Sequence, residues 1–135
     1  VSIQYRVSSM EKQKKTIKNF TELTSWKKGH TLVLAVYKET KKFPDDEKFG
    51  LTSQIRRAAV SITSNIAEGF ARTGKRDKAK FYATSLGSLA ETQSQLLIAR
   101  DLNYITQNAF KQLAEQTVEV RKLISGLVKS AESKS

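Results

Sequence analysis

The chain has 135 residues, enough for one domain with a single modest core. It contains no cysteine, which excludes disulfides, thiolate nucleophiles and thiolate metal sites. It also lacks the run of roughly 20 apolar residues that a bilayer-spanning helix needs, and it does not begin with the apolar block of a signal peptide. One proline and six glycines are few for a protein with many tight turns. The composition therefore predicts a soluble, cytoplasmic protein built from a few long helices.

The positive charge of the chain is concentrated in two stretches. The net charge is +11 and the pI is near 10.0. Residues 1–28 carry seven basic and two acidic side chains, and residues 72–80 carry five basic and one acidic. A local excess of this kind indicates a polyanionic partner. The first 20 residues show no sustained apolar period, so we expect residues 1–22 to form a flexible basic N-terminal arm.

The first helix is predicted over residues 24–40, with Thr24 or Ser25 as its cap. Pro44 ends this helix, because a proline disfavours helical geometry at the residue before it. The three acidic residues that follow Pro44 suit the positive end of a short helical turn.

The second helix is predicted over residues 52–69, with Gly50 as the break before it, Thr52 as a candidate cap and Gly69 as its exit. Apolar residues at spacings of three and four mark one packing face. These residues are Leu51, Ile55, Ala58, Ile62 and Ile66.

The third helix is predicted over residues 77–102. A glycine inside a helix costs about 1 kcal/mol relative to alanine, so Gly87 indicates close approach of another helix. The residues expected on the inward side are Tyr82, Leu86, Leu89, Ala90, Gln93, Leu96 and Leu97.

The fourth helix is predicted from its cap Thr106 to about Lys129, with a regular apolar seam. Four amphipathic helices joined by short loops bury their apolar faces most simply as an antiparallel, up-down-up-down four-helix bundle. The sequence therefore predicts an all-α protein whose bundle comprises residues 23–130, followed by a frayed tail at 131–135.

Catalytic and metal-binding motifs are missing from the sequence. His30 is the sole histidine, so no histidine pair can bind a metal, and no signature surrounds a serine nucleophile. The glycines do not form a phosphate-binding loop. We therefore expect no enzymatic activity, no cofactor and no metal.

Five polar residues on the second and third helices are candidates for a structural role: Arg56, Arg57, Asn65, Glu68 and Glu91. The acids could do acid–base chemistry. They could equally hold helix register by pairing with the arginines, and this reading is favoured because no substrate-binding motif accompanies them. It predicts that Glu91→Ala lowers the melting temperature or disturbs assembly.

The basic side chains of the two charged stretches are the candidate nucleic-acid-binding residues. Simple solvation of a charged surface is the alternative, because charge patterns alone are weak evidence. Binding through phosphate contacts would be strongly salt-dependent. The candidates are Arg72, Lys75, Arg76, Lys78 and Lys80 in one group, and Lys12, Lys14, Lys15, Lys18, Lys27 and Lys28 in the other.

Several motifs in order give the chain a family resemblance: FP at 43–44, FGL at 49–51, QIRRAAVSI at 54–62, SNIAEG at 64–69 and GSLAE at 87–91. The chain resembles the four-helix-bundle proteins encoded in intervening sequences of bacterial large-subunit ribosomal RNA genes. It departs from them at Thr63, where the family commonly has proline. The resemblance implies a non-enzymatic bundle that forms ring-like homo-oligomers, often pentamers. A more distantly similar family, the accessory proteins of diversity-generating retroelements, binds a reverse transcriptase and nucleic acid.

These observations lead to one expected function and one alternative. The expected function is a basic, homo-oligomeric, nucleic-acid-binding bundle that makes mainly phosphate contacts, with RNA favoured by the resemblance alone. The alternative is a protein-interaction scaffold, such as an accessory ring for another nucleic-acid-processing protein. We expect no membrane partner.

Overall fold

The structure is a computed structural model that describes residues 16–133. No strand occurs in this part of the chain, and four helices dominate it: α1 (Thr24–Thr40), α2 (Leu51–Ala71), α3 (Lys75–Asp101) and α4 (Gln107–Ser133). Short 3₁₀ turns at Phe20–Glu22 and Asp45–Glu47 precede α1 and α2. The predicted all-α, four-helix fold is confirmed. The candidates Lys12, Lys14 and Lys15 lie outside the described residues.

Consecutive helices run antiparallel. Gly29, near the start of α1, lies against Thr63 in the second half of α2. Arg56, near the start of α2, reaches Thr40 at the end of α1. The same reversal relates α2 to α3 and α3 to α4, through the pairs Gly69–Tyr82, Ser61–Ser88, Arg100–Phe110 and Gln93–Thr117. The start of α1, the end of α2, the start of α3 and the end of α4 therefore share one end of the bundle.

The core forms where the apolar stripes of the four helices meet. Burying one such aliphatic side chain contributes about 2 kcal/mol relative to leaving it in water. The largest fully buried aliphatic residues are Leu32 and Val36 on α1, Ile55, Ile62 and Ile66 on α2, Leu89 on α3, and Val120 and Ile124 on α4. The apolar face predicted for α2 thus lies in the core. Thr63, where the family commonly has proline, lies inside an uninterrupted α2.

The inward face of α3 is more polar than predicted. Ala90 and Leu97 are exposed, whereas Ser85 and Thr92 are fully buried. The Ser85 hydroxyl donates to the carbonyl of Ile62 on α2 at 2.7 Å, and Thr92 donates to the carbonyl four residues before it at 2.9 Å. A short hydroxyl side chain can be buried at low cost when a helix carbonyl accepts its proton. The prediction from hydropathy was therefore wrong for part of this face.

The helix ends differ from the predictions at several points. Thr106 caps α4 as predicted, because its hydroxyl accepts the N–H of Ala109 at 3.1 Å. Neither Thr24 nor Ser25 caps α1, whose N-terminus has no side-chain hydrogen bond. The fourth helix continues past its predicted end near residue 129, and Ala131 is buried against the core.

A glutamate outside α2 caps that helix in place of the predicted Thr52, which lies buried within it. Glu47 Oε1 accepts the N–H of Leu51 at 3.0 Å, and Glu47 Oε2 accepts the hydroxyl of Tyr104 at 2.8 Å. A Cβ on Gly50 would lie 2.8 Å from that Oε1, so glycine leaves room for the carboxylate. Glu47 therefore ties the start of α2 to the α3–α4 connection.

These hydrogen bonds shift two pKa values in opposite directions. The Leu51 N–H and then the Tyr104 hydroxyl lower the pKa of Glu47 from 4.5, and the bond to Glu47 raises the pKa of Tyr104 from 10.0. A lowered acid pKa stabilises the fold above pH 4.5, and this contribution is lost as the pH falls below that value. A raised tyrosine pKa stabilises the fold below pH 10.0, and this contribution is lost as the pH rises further.

We predict that Glu47→Gln lowers the melting temperature at neutral pH by a few degrees, because a neutral amide is a weaker acceptor than a carboxylate. The variant should also show a shallower loss of stability below pH 4.5. Thermal melts followed by circular dichroism across the acid range test both effects. The matched control is Asp45→Asn, an exposed acid in the same turn, which should behave like the wild type. Identical acid profiles for wild type and Glu47→Gln would contradict the prediction.

Candidate nucleic-acid interface

The antiparallel arrangement brings the two basic stretches of the sequence together. We define the basic half of the bundle as residues 16–28, 68–80 and 119–133, which carry eleven basic and five acidic side chains. The opposite half, residues 37–57 and 91–115, carries eight basic and seven acidic side chains. The positive potential is therefore concentrated on one half of the bundle.

Three basic residues of α4 join this surface and were missed by the sequence analysis. Arg121, Lys122 and Lys129 are exposed and lie in the second half of α4, at the same end as the α2–α3 connection. They are scattered along the helix, so they do not form a visible cluster in the sequence. The alternation of helix direction in the predicted bundle is the signal that could have located them.

The connection between α2 and α3 is shorter than predicted. The structure leaves only residues 72–74 outside the two helices, and Gly74 precedes α3 with extended backbone angles. Four of the five predicted binding residues in this stretch therefore lie in the first two turns of α3: Lys75, Arg76, Lys78 and Lys80. Since successive residues of a helix are rotated by about 100°, these side chains leave α3 on different sides.

Lys78 faces the end of α2. Its ammonium donates to the carbonyl of Phe70 at 2.7 Å and of Gly69 at 3.3 Å, and it lies 5.2 Å from the centre of the Phe70 ring. These carbonyls belong to the last turn of α2, which has no following turn to donate N–H groups to them, and the Gly69 carbonyl also accepts the backbone N–H of Arg72 at 3.2 Å. A Cβ on Gly69 would lie 2.7 Å from the Tyr82 ring, so glycine permits the end of α2 to approach α3 closely. Lys78 thus caps α2, and two of its three N–H donors are occupied.

Arg72 has two neighbours on the surface. Its guanidinium donates to Glu68 at 2.8 Å and lies 4.6 Å from the centre of the Phe81 ring. The side chains of Arg72 and Glu68 are 43% and 49% exposed, so water screens the ion pair and its contribution to stability is small. A phosphate can replace Glu68 at little cost.

A small groove of about 190 Å³ lies beside Arg72, and Lys80, Phe81 and Asp77 line it. The carboxylate of Asp77 makes this groove unsuitable for a tightly held phosphate. Lys75, Arg76 and Lys80 are exposed at the start of α3. These cations form an open surface.

The second basic group lies near the start of α1. Lys27 is exposed, and Lys28 lies 3.7 Å from Glu119 of α4, with both side chains about half exposed. Lys18 is exposed and precedes the 3₁₀ turn, where its backbone N–H donates to Glu22 at 3.3 Å. The structure thus brings Lys18, Lys27 and Lys28 into the same half as the α3 cations.

The polar residues predicted to hold helix register do not form one cluster. Arg56 joins α1 to α2, because its Nε donates to Thr40 at 2.8 Å and its guanidinium stacks 4.6 Å from the Tyr37 ring. Asn65 donates to the carbonyl of Ser61 at 2.8 Å within α2. Glu68 forms an ion pair with Arg72, which lies one helical turn further along the chain.

Arg57 and Glu91, the remaining two of this set, are exposed and line one groove between α2 and α3. Among residues 16–133, neither side chain has a hydrogen-bonding or ion-pair partner. A single chain thus offers no structural contact for Glu91, and of the two effects expected for Glu91→Ala only disturbed assembly retains a physical basis.

The described residues hold no cluster of three or more His, Asp or Glu side chains that could bind a metal. His30 is exposed and stacks on Trp26, with ring centres 4.7 Å apart. None of the helices within residues 16–133 is long and apolar enough to cross a membrane.

We predict stability effects of different size for substitutions of two nearby lysines. Lys78→Met should lower the free energy of unfolding by about 1–2 kcal/mol, because it removes charged hydrogen bonds to helix-end carbonyls. Lys80→Met, at an exposed position two residues further along α3, should change it by less than about 0.5 kcal/mol. Urea denaturation of both variants measures the difference. Equal stability of the two variants would contradict the capping role of Lys78.

Comparison with known proteins places these observations in a family. The family model of the 23S rRNA-intervening sequence protein matches residues 21–126. A protein of unknown function from the S23 ribosomal protein family of Bacteroides thetaiotaomicron VPI-5482 has a similar structure, with a TM-score of 0.73 and 22% sequence identity. The match covers 78% of this chain and 99% of that chain, and at this identity it supports the fold alone. No curated protein matches the chain.

The family match begins in the 3₁₀ turn before α1 and includes all of α1, α2 and α3 and most of α4. It contains the motifs that carry the resemblance seen in the sequence, from FP at 43–44 to GSLAE at 87–91. The chain therefore belongs to the family of 23S rRNA-intervening sequence proteins.

Proposed function

We propose that this protein is a non-enzymatic, homo-oligomeric bundle that binds nucleic acid, with RNA favoured over DNA, mainly through phosphate contacts. The observation that carries the proposal is the charge asymmetry between the two halves of the bundle. Exposed cations from three separate segments converge on the basic half, where each can neutralise a phosphate and release a counterion.

The kind of contact follows from the shape of this surface. The aromatic rings nearest the cations, Phe70 and Phe81, are partly buried, and Lys78 and Arg72 lie over them. They are therefore poorly placed to stack on bases. An open basic surface without stacking platforms supports backbone contacts, which bind nucleic acid with little sequence preference. The family's association with 23S rRNA intervening sequences favours RNA.

Self-association would strengthen such binding. Each added copy contributes another basic half, and linked weak sites bind a long polyanion far more tightly than one site does. The pentameric ring implied by the resemblance is the expected form of this assembly. It would present several basic halves to one nucleic acid.

A protein-interaction scaffold is the second candidate function. It is favoured by Phe49, which is 91% exposed in the half opposite the basic one. A large exposed aromatic side chain is typical of protein interfaces. In that case the positive charge would be secondary, and neutralising the basic half would leave the function intact.

We predict that replacing Arg72, Lys75, Arg76 and Lys80 together with glutamine weakens RNA binding and flattens its salt dependence. The slope of log Kobs against log salt should fall by about 0.7–0.9 for each phosphate contact removed. Lys78 is left intact because it caps α2. Binding of a structured RNA and of a matched DNA duplex across a salt series measures the slopes and the preference between the two ligands.

The matched control replaces four exposed lysines of the opposite half with glutamine: Lys38, Lys41, Lys48 and Lys111. Both variants lose the same total charge, so only a localised binding surface separates them. Equal weakening by both variants would point to diffuse charge attraction. Binding that neither variant alters would favour the scaffold function.

A further inference from the structure

The groove between α2 and α3 lies outside the surface assigned to nucleic acid. It has a volume of about 500 Å³, and Phe49, Gln54, Arg57, Ser61 and Glu91 are among the residues that line it. Four of these residues belong to the half opposite the basic one, whereas Ser61 lies deeper, at the contact with Ser88 of α3. The proposed phosphate contacts use none of them.

Phe49 is the most exposed large apolar side chain in the described part of the chain, at 91%. It stands on the edge of the groove, immediately before α2. An aromatic ring in this position is stabilised only when another surface covers it. Its neighbour Lys48 lies 5.6 Å from the ring centre and leaves most of the ring in water.

The charges of the groove are opposite and uncompensated. Arg57 lies on the α2 side and Glu91 on the α3 side, and neither has a partner among residues 16–133. The other residues that line the groove are uncharged: Phe49, Ser53, Gln54, Ala58 and Ser61. The surface therefore offers one cation and one anion within an otherwise neutral contact area.

Gly87 supports close approach from outside the chain. It is exposed on α3, and a Cβ added to it would meet no atom within 4 Å. Packing inside the bundle therefore does not require a glycine here, contrary to the close helix approach predicted from the sequence. The free space above Gly87 lies on the outward surface of α3, one turn before Glu91.

Charge complementarity selects the occupant of the groove. A nucleic acid would bring its phosphates close to the Glu91 carboxylate, and a purely acidic or purely basic peptide would leave one of the two charges unpaired. A second copy of this chain supplies both signs. We infer that the groove docks onto another copy of this chain, with Arg57 of one copy paired with Glu91 of its neighbour and Phe49 covered at the contact. The inference rests on the self-association within the proposed function and assigns it a surface.

Charge reversal tests this contact. Arg57→Glu and Glu91→Arg should each reduce the fraction of assembled protein, because each places like charges opposite one another. The double variant Arg57→Glu/Glu91→Arg should restore the assembly. Sedimentation velocity measures the mass at concentrations where the wild type is assembled. Both side chains are exposed and unpaired in one chain, so the helix content of all variants should match the wild type.

Three results would overturn the inference: an unchanged mass in both single variants, a loss of assembly that the double variant does not recover, or a wild type that stays monomeric.

Phe49→Ser should also reduce assembly. Leu34→Ser is the control, because Leu34 is 57% exposed on α1 and lies outside the groove. Equal effects of these two variants would count against the groove.

Disulfide trapping locates the contact directly, since the chain has no cysteine of its own. A mixture of Arg57→Cys and Glu91→Cys chains should form a covalent dimer under mild oxidation. A mixture of Arg121→Cys and Glu91→Cys chains should not, because Arg121 lies in the basic half. RNA binding across a salt series is measured in a separate experiment. An absence of RNA binding would therefore contradict the proposed nucleic-acid function without changing the assembly result, and an absence of assembly through the groove would not change the RNA-binding result.

Discussion

The close packing of α2 against α3 is the constraint on which the rest of the structure depends. These two helices share the largest contact in the bundle, and small or hydroxyl side chains line it. Ser85 reaches the carbonyl of Ile62, and Ser88 and Ser61 bond to each other at 2.7 Å. Such short side chains let two helix backbones approach closely while the hydroxyls at this contact still find hydrogen-bond partners. The resulting antiparallel pair fixes where the chain reverses and which charges meet there.

At the corner between α2 and α3, the basic residues of the stretch 72–80 have different roles. Because α3 begins at Lys75, its helical rotation turns Lys78 toward the end of α2 and leaves Arg76 and Lys80 in solvent. One lysine thus stabilises the helix end that holds the others in place. The positive charge of the basic half is carried by a rigid corner, which lowers the entropic cost of meeting a polyanion.

The two proposed surfaces lie in different halves of the molecule. The groove that contains Arg57 and Glu91 is nearly neutral, while the basic half carries most of the excess charge. Assembly through the groove would leave the basic half of every copy exposed to nucleic acid. It would also keep like-charged surfaces away from the contact, where their repulsion would oppose association.

The sequence by itself determined the helical class, the number of helices, the face of α2 that enters the core and the family, because periodic apolar residues and local motifs are properties of neighbouring positions. Only the tertiary structure decided which cations remain available, because Lys78 finds its acceptors on another helix. It also decided that Glu47 caps α2, that hydroxyl side chains line the inward face of α3, and that Arg57 and Glu91 lack partners in one chain. Each of these depends on atoms brought together from distant positions, and no spacing within one segment specifies them.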